Sequence, residues 1–176
     1  MSETTTMNFG AQTQVIPIES TMLTIRSAKS YFQVITEFES ILKRLALTRM
    51  QELIAHQDLA GFDAYINSMV TPEQPHAIFF ELEQGAIMRL AGIPGEAKFY
   101  LIGNPIYGRE LFRYSGASGL SAPIRVSVSQ RDGEETRIDF ELPTGLFSRF
   151  PEMVDSPMPA ILDETMVKIL EEVAAS

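Results

Sequence analysis

The segment covering residues 97–142 constrains the fold more than any other part of the chain. It reads as an apolar strand that stops at Gly103, a short helix opened by Asn104 and Pro105, a Gly/Ser-rich loop and a β-hairpin. Asn is a strong helix N-cap, and Pro suits the first helical position. The segment alone therefore predicts three strands and one helix.

The hairpin at about residues 123–142 has a register that its residue types restrict. A two-residue loop would place Val126 opposite Asp139, pairing an apolar side chain with a charged one. A three-residue loop with Gly133 in a left-handed conformation places Val126 opposite Ile138. The sequence therefore favours the three-residue loop.

Two further strands and three helices follow from periodicity. Alternation predicts strands at about residues 22–28 and 76–83, the second continuing over residues 86–90. A possible capping box at Ser30 and Gln33 precedes an apolar stripe at helical spacing, which predicts one long helix to about His56. Asp58 is predicted to cap a second helix, and a third closes the chain at about residues 159–174.

This element order predicts a single α+β domain. We expect a mostly antiparallel sheet of about four to five strands, with the long helix and the C-terminal helix packed on one face. The domain should cover residues 15–176, because residues 1–14 are rich in Ser, Thr, Asn and Gln and are expected to form a disordered tail.

Composition excludes several classes of function. The net charge of −9 and the absence of a basic stripe argue against a nucleic-acid partner. Because the chain has no cysteine and only two histidines, we expect no metal site and no cofactor. No apolar run approaches the length of a membrane span or a secretory signal, and a cysteine-free chain fits a reducing cytoplasm.

Several short motifs occur in an order that resembles a known family. A strand ends in a charged residue before Gly85, Gly103-Asn104-Pro105 opens an apolar helix, and the hairpin is entered by an Ala-Pro-x-Arg-Val run. An Asp-Gly turn, Pro143 and a closing Leu-Asp helix follow. Over residues 80–174 the chain is similar to domain-of-unknown-function family 302.

The resemblance implies a compact α+β domain that can form homodimers, and it supplies no catalytic residue. Two features differ from the family pattern. Many members carry His where Glu83 stands here, and the insert at residues 47–70 is longer than the family pattern leads us to expect.

Candidate site residues lie at the Asn104 helix start and on the polar face of the sheet. Asn104 either caps its helix or helps to hold an anion through exposed amides, and capping is the commoner role. Tyr100 and Arg125 are the other candidate ligand-binding residues. Glu83 and Asp139 are weak catalytic candidates, because a carboxylate beside Arg can serve acid–base chemistry.

Period-two alternation predicts that the polar side chains share the sheet face away from the helices. Such a face is usually solvated, but its aromatic residues also suit a second subunit or a ligand cleft. The predicted members are Phe79, Glu81, Glu83, Lys98, Tyr100, Arg125, Arg137, Asp139 and Glu141.

The favoured function is a cytosolic, non-enzymatic module, homodimeric, that binds a small ligand or serves in stress. Its basis is the lack of a catalytic constellation together with the aromatic residues on the polar face. One alternative is an enzyme that uses Glu83 or Asp139 as acid or base and Arg125 as an anion clamp. Another is a protein–protein interaction domain that presents its acidic C-terminal segment.

Overall fold

The computed structural model describes Ile16 and residues 18–175. The predicted disordered tail at residues 1–14 lies outside the described residues. Within them are five strands, seven α-helices and two short 3₁₀ helices at residues 116–120 and 151–153. The strands are β1 (Met22–Ser27), β2 (Ala77–Leu82), β3 (Glu96–Gly103), β4 (Ile124–Gln130) and β5 (Thr136–Glu141). The α-helices are α1 (Tyr31–Ile41), α2 (Leu47–Ala55), α3 (Leu59–Met69), α4 (Gln84–Leu90), α5 (Pro105–Tyr114), α6 (Pro143–Phe147) and α7 (Met158–Ala174).

All five strands belong to one antiparallel sheet in the order β1-β5-β4-β3-β2. One face carries the main core, which α1 and α7 cover with an apolar stripe that includes Phe38 and Met166. The other face, which we call the open face, carries Arg125, Asp139 and their neighbours at alternate positions. The predicted α+β class and single antiparallel sheet are confirmed.

The β4–β5 hairpin pairs two residues further along than expected. Val126 lies opposite Phe140, and Val128 lies opposite Ile138, so the loop is longer than three residues. A shift of two keeps every side chain on its predicted face, because the side-chain period of a strand is two. Gly133 has the predicted left-handed conformation, with φ of 78°.

The single long helix predicted to run to about His56 is wrong, because the chain breaks into α1 and α2. Leu42 leaves the helical conformation after α1, and residues 43–45 pair with the edge of β2. The Leu45 amide donates to the Ile78 carbonyl at 2.8 Å, and the Ile78 amide donates to the Lys43 carbonyl at 2.9 Å. Leu42 and Leu45 are buried on both sides of the break, so the apolar spacing gave no sign of it.

The predicted continuation of the second strand over residues 86–90 is also wrong, since α4 occupies it. Gly85 permits this turn because its backbone packs directly on β3. A Cβ at Gly85 would lie 2.5 Å from the Ala97 backbone nitrogen, closer than any side chain tolerates.

The capping interpretations of Ser30 and Asp58 are confirmed by hydrogen bonds to the first turns of α1 and α3.

Candidate functional site

An apolar groove of about 470 Å³ lies between α2, α3 and α5; we call it the helix groove. Three of its large apolar side chains stay mostly in solvent, with exposed fractions of 62% for Ile54, 62% for Leu59 and 63% for Phe112. Such a volume is typical of small-molecule sites. The lining residues are Leu53, Ile54, Gln57, Asp58, Leu59, Phe62, Pro105, Gly108, Arg109 and Phe112.

The turn between α2 and α3 forms the polar part of the helix groove. Gln57 adopts a left-handed conformation with φ of 54°, which ends α2. The next helix, α3, then begins at Leu59. The Asp58 carboxylate accepts from the Gly61 amide at 2.8 Å and so caps α3. The cap therefore fixes where Leu59 and Phe62 stand along the groove.

Arg109 on α5 joins the groove to α3 through an ion pair with Asp63. The two Arg109 guanidinium nitrogens lie 3.0 to 3.3 Å from the two Asp63 carboxylate oxygens. Both side chains are about one-third exposed, at 39% and 34%. This bidentate pair fixes the position of Arg109, the only cation among the described residues that line the groove.

Asn104 caps α5 and ties it to the chain before β2. Its Oδ1 atom accepts from the Ile106 amide at 2.8 Å, and its Nδ2 atom donates to the Pro75 carbonyl at 2.9 Å. Asn104 is buried, and both ends of its amide are engaged. The capping interpretation is thus confirmed. Asn104 also borders a smaller cavity of about 180 Å³ at the start of α5.

His76 is buried beside this helix start. The Thr165 hydroxyl donates to the Ile161 carbonyl at 2.7 Å, so His76 Nε2 carries the proton and donates to Thr165. His76 Nδ1 has no hydrogen-bond partner among the described residues, and the ring packs edge-on against Tyr107. Burial lowers the pKa of His76 to about 4, so the ring is neutral at pH 7.

A cluster of charges lies at the opposite end of β3, on the helix-covered face. Lys98 Nζ contacts Glu39 at 2.6 Å, Glu83 at 2.7 Å and Glu81 at 3.7 Å. The Lys98 side chain is only 8% exposed. We call the group the Lys98 cluster; its members are Tyr31, Glu39, Arg44, Glu81, Glu83, Lys98 and Tyr100.

The electrostatics of the Lys98 cluster keep Lys98 protonated and the two tyrosines neutral at neutral pH. Burial lowers the pKa of Lys98, but the hydrogen bonds to Glu39 and Glu83 outweigh it, so the pKa is raised overall. Burial and the neighbouring carboxylates raise the pKa of both Tyr31 and Tyr100. Lys98 is therefore a protonated partner for carboxylates and not a nucleophile at pH 7.

The structure separates the predicted site residues into two groups on opposite faces of the sheet. Glu83 and Tyr100 belong to the Lys98 cluster, whereas Arg125 and Asp139 lie on the open face. Glu83 and Arg125 are therefore not brought together. Arg125 forms an ion pair with Glu141.

The predicted membership of the polar face is wrong for β3 and also for the end of β2, because Glu81 lies opposite Tyr100 and Glu83 contacts Lys98 on the helix-covered face. Lys98 lies opposite Val128 and Tyr100 lies opposite Val126, so both point to the helix-covered face. Phe99 and Leu101 consequently lie on the open face. Residue polarity predicts the opposite orientation for these four side chains. The prediction fails because carboxylates from α1 and β2 neutralise the Lys98 charge inside the protein.

Asp139 is held on the open face by Thr24 and Arg137. The Thr24 hydroxyl donates to its carboxylate at 2.5 Å, and Arg137 Nη2 donates at 2.9 Å. Within residues 18–175, no group of three or more His, Asp or Glu side chains is arranged to hold a metal ion. In the same range, no helix is both long enough and apolar enough to cross a membrane.

Comparison with known proteins identifies the fold. The sequence matches no protein-family model and has no significant match among curated proteins. Among solved structures, it is similar to the crystal structure of the uncharacterized conserved protein DUF302 from Bacillus stearothermophilus. The match has a TM-score of 0.58 and covers 86% of this chain and 97% of that chain.

The chain has a DUF302-type fold. This likeness confirms the fold suggested by the sequence motifs. Because the two chains share only 13% of their residues, the likeness shows the fold alone and assigns no role to any residue.

Sequence reasoning missed both the helix groove and the Lys98 cluster. Leu53, Ile54 and Phe62 all fit apolar stripes at helical spacing, and nothing local distinguishes the exposed Ile54 from the buried Leu53. Glu39 and Arg44 lie far along the chain from Lys98, so only the packing of α1 on the sheet joins them. Because alternation alone assigns Lys98 to the polar face, the sequence offers no local signal for the cluster.

Proposed function

We propose that this protein is a non-enzymatic binding module for a small, largely apolar molecule, and that the helix groove is its binding site. The observation that carries the proposal is a groove of about 470 Å³ whose wall includes Ile54, Leu59 and Phe112, each more than half exposed. Covering these side chains with an apolar ligand would remove their surface from water, which favours binding.

Another depression in the surface is a poorer candidate. A region of about 730 Å³ along α7 is lined mainly by charged side chains, among them Glu164, Lys168 and Glu171. Binding an apolar molecule there would desolvate charges without pairing them, which is costly. The described residues that line the helix groove include two charged ones, and both already have partners: Arg109 pairs with Asp63, and the Asp58 carboxylate accepts from the Gly61 amide.

The neutral apolar fluorophore Nile red tests this proposal. We expect its fluorescence to rise on adding the wild-type protein and the rise to be lost in Phe112→Asp. Leu90→Asp is the matched control, because Leu90 is 90% exposed on α4 and does not line the groove. Equal loss in both variants, or no rise with the wild type, would contradict the proposal.

The same proposal includes a homodimer formed through the open face of the sheet. Phe80 and Leu82 on β2 are 46% and 38% exposed, and both lie on the open face, opposite Leu101 and Phe99. Four of its charges form two ion pairs, Arg125 with Glu141 and Arg137 with Asp139, so a second copy would meet little repulsion.

Sedimentation velocity tests the dimer. We expect Leu82→Asp to sediment as a monomer and the wild type to sediment as a dimer. Leu120→Asp changes a leucine that is 74% exposed on the 3₁₀ helix after α5, and it should leave the dimer intact. A monomeric wild type would refute the dimer without affecting the helix groove.

The enzyme alternative gains little from the geometry. Glu83 and Arg125 lie on opposite faces, and the Asp139 carboxylate already accepts hydrogen bonds from Thr24 and Arg137. The cytosolic location, the role in stress and the interaction role of the acidic C-terminal segment stay predictions from the sequence.

A further inference from the structure

A second apolar cavity adjoins the helix groove across the first turns of α5. It has a volume of about 180 Å³, and Phe79, Tyr107 and Leu111 are among its lining residues. Both cavities are lined by Pro105 and Gly108. These two residues therefore form the boundary between the wide groove and the narrow cavity.

Gly108 occupies the interior of α5 without a local reason for being glycine. Its φ is not positive, unlike those of Gly92, Gly95 and Gly133. A Cβ at Gly108 would have no heavy atom within 4 Å, whereas at Gly85 it would meet backbone. Glycine destabilises a helix interior relative to alanine, so neither the backbone nor the packing benefits from it.

The missing side chain of Gly108 leaves α5 bare where the two cavities meet. Any larger residue would stand in the open space above the helix at this boundary. The consequence of glycine here is thus an unobstructed apolar path over α5.

We propose that Gly108 is a specificity-determining residue and that the ligand is an elongated molecule with an unbranched hydrocarbon chain that crosses α5 at this residue. The chain end lies in the narrow cavity, where the polar atoms of the Asn104 side chain are already engaged. The polar end lies in the helix groove near Gln57 and Arg109. This inference rests on the proposed function of the helix groove and specifies its ligand class.

Isothermal titration calorimetry with two straight-chain carboxylates tests the inference. Dodecanoate has twice the carbon chain of hexanoate, and the proposal places the end of this longer chain beyond Gly108 in the smaller cavity. We expect Gly108→Leu to weaken dodecanoate binding by about tenfold or more, because methylene groups lose their burial, and to change hexanoate binding little. Gly119→Leu is the control, since a Cβ at Gly119 also has no heavy atom within 4 Å but Gly119 lines neither cavity.

The thermal midpoint of Gly108→Leu should equal or exceed that of the wild type, because leucine is the better helix former. A loss of binding would then not reflect unfolding. If both carboxylates bind the wild type and Gly108→Leu weakens them equally or not at all, the crossing is refuted and the groove stands. If neither carboxylate binds the wild type, the crossing is refuted, and the Nile red measurement decides separately whether the helix groove binds an apolar molecule.

Discussion

The two ends of strand β3 differ in how their space is filled. At the start of the strand, Lys98 lies on the helix-covered face and its charge is partnered by three carboxylates. Two of these carboxylates also accept hydrogen bonds from Tyr31 and Tyr100. After the strand ends at Gly103, the chain enters α5, where apolar walls border two cavities. Polarity at one end thus serves stability, and apolar surface at the other is available for binding.

Removing the Lys98 charge should have the largest effect on stability. Lys98→Met keeps most of the side-chain volume but removes the cation of Glu83 and leaves Glu39 and Glu81 with Arg44 alone. We expect the free energy of unfolding to fall by about 4 kcal/mol in urea denaturation, as when a buried ion pair loses one partner. Lys168→Met, at an exposed position on α7, is the control and should change little. A loss below about 1 kcal/mol would mean that solvent already screens the cluster.

Acidification should lower the free energy of unfolding through His76, which is buried near the other end of β3. Its pKa is about 4 in the folded protein and 6.5 in the unfolded chain, so only the unfolded chain gains a proton between these values. Stability is therefore complete above pH 6.5 and falls by about 3 kcal/mol as the pH drops to 4. The pKa of Glu39 is lowered from 4.5, so the stability that its ionised form contributes is present above pH 4.5 and is lost as the pH falls below that value.

The substitution His76→Gln should remove the loss of stability between pH 6.5 and 4, because glutamine does not titrate. His56→Gln changes an exposed histidine at the end of α2 and should retain the loss. Chemical denaturation at a series of pH values measures both variants. An unchanged pH dependence in His76→Gln would assign the acid sensitivity to other groups.

Gly85→Ala tests the packing of α4 on the start of β3. The new Cβ would lie 2.5 Å from the Ala97 nitrogen and must push backbone apart, so we expect a loss of about 2 kcal/mol in the free energy of unfolding. Gly119→Ala, with open space around its Cβ, should be neutral or stabilising. If Gly85→Ala and Gly119→Ala change the free energy of unfolding equally, α4 can move away from the sheet without loss of stability.

Asn104→Ala should cost the least, about 1.5 kcal/mol, through loss of the α5 cap and of the bond to the Pro75 carbonyl. Urea denaturation measures the loss, and Ser115→Ala, at an exposed cap of the following 3₁₀ helix, should cost less. Full stability combined with lost ligand binding would reassign Asn104 from a structural cap to a direct ligand contact.

The same contrast explains what could be predicted from the sequence. Local signals predicted the caps at Ser30, Asp58 and Asn104 and the apolar faces of β4 and β5, because each depends on residues close in the chain. The orientation of Lys98 depends on Glu39 from α1, and the helix groove depends on how α2 and α3 pack beside α5. Those relations are tertiary, so neither periodicity nor residue type contains them.

Native mass spectrometry of the untagged protein, followed by denaturing analysis, tests the helix groove most directly. We expect each protomer to exceed the polypeptide mass by one small apolar molecule, or to gain one dodecanoate on incubation, and Phe112→Asp to retain neither. A wild-type protein that shows only the polypeptide mass before and after incubation would contradict a binding role for the groove.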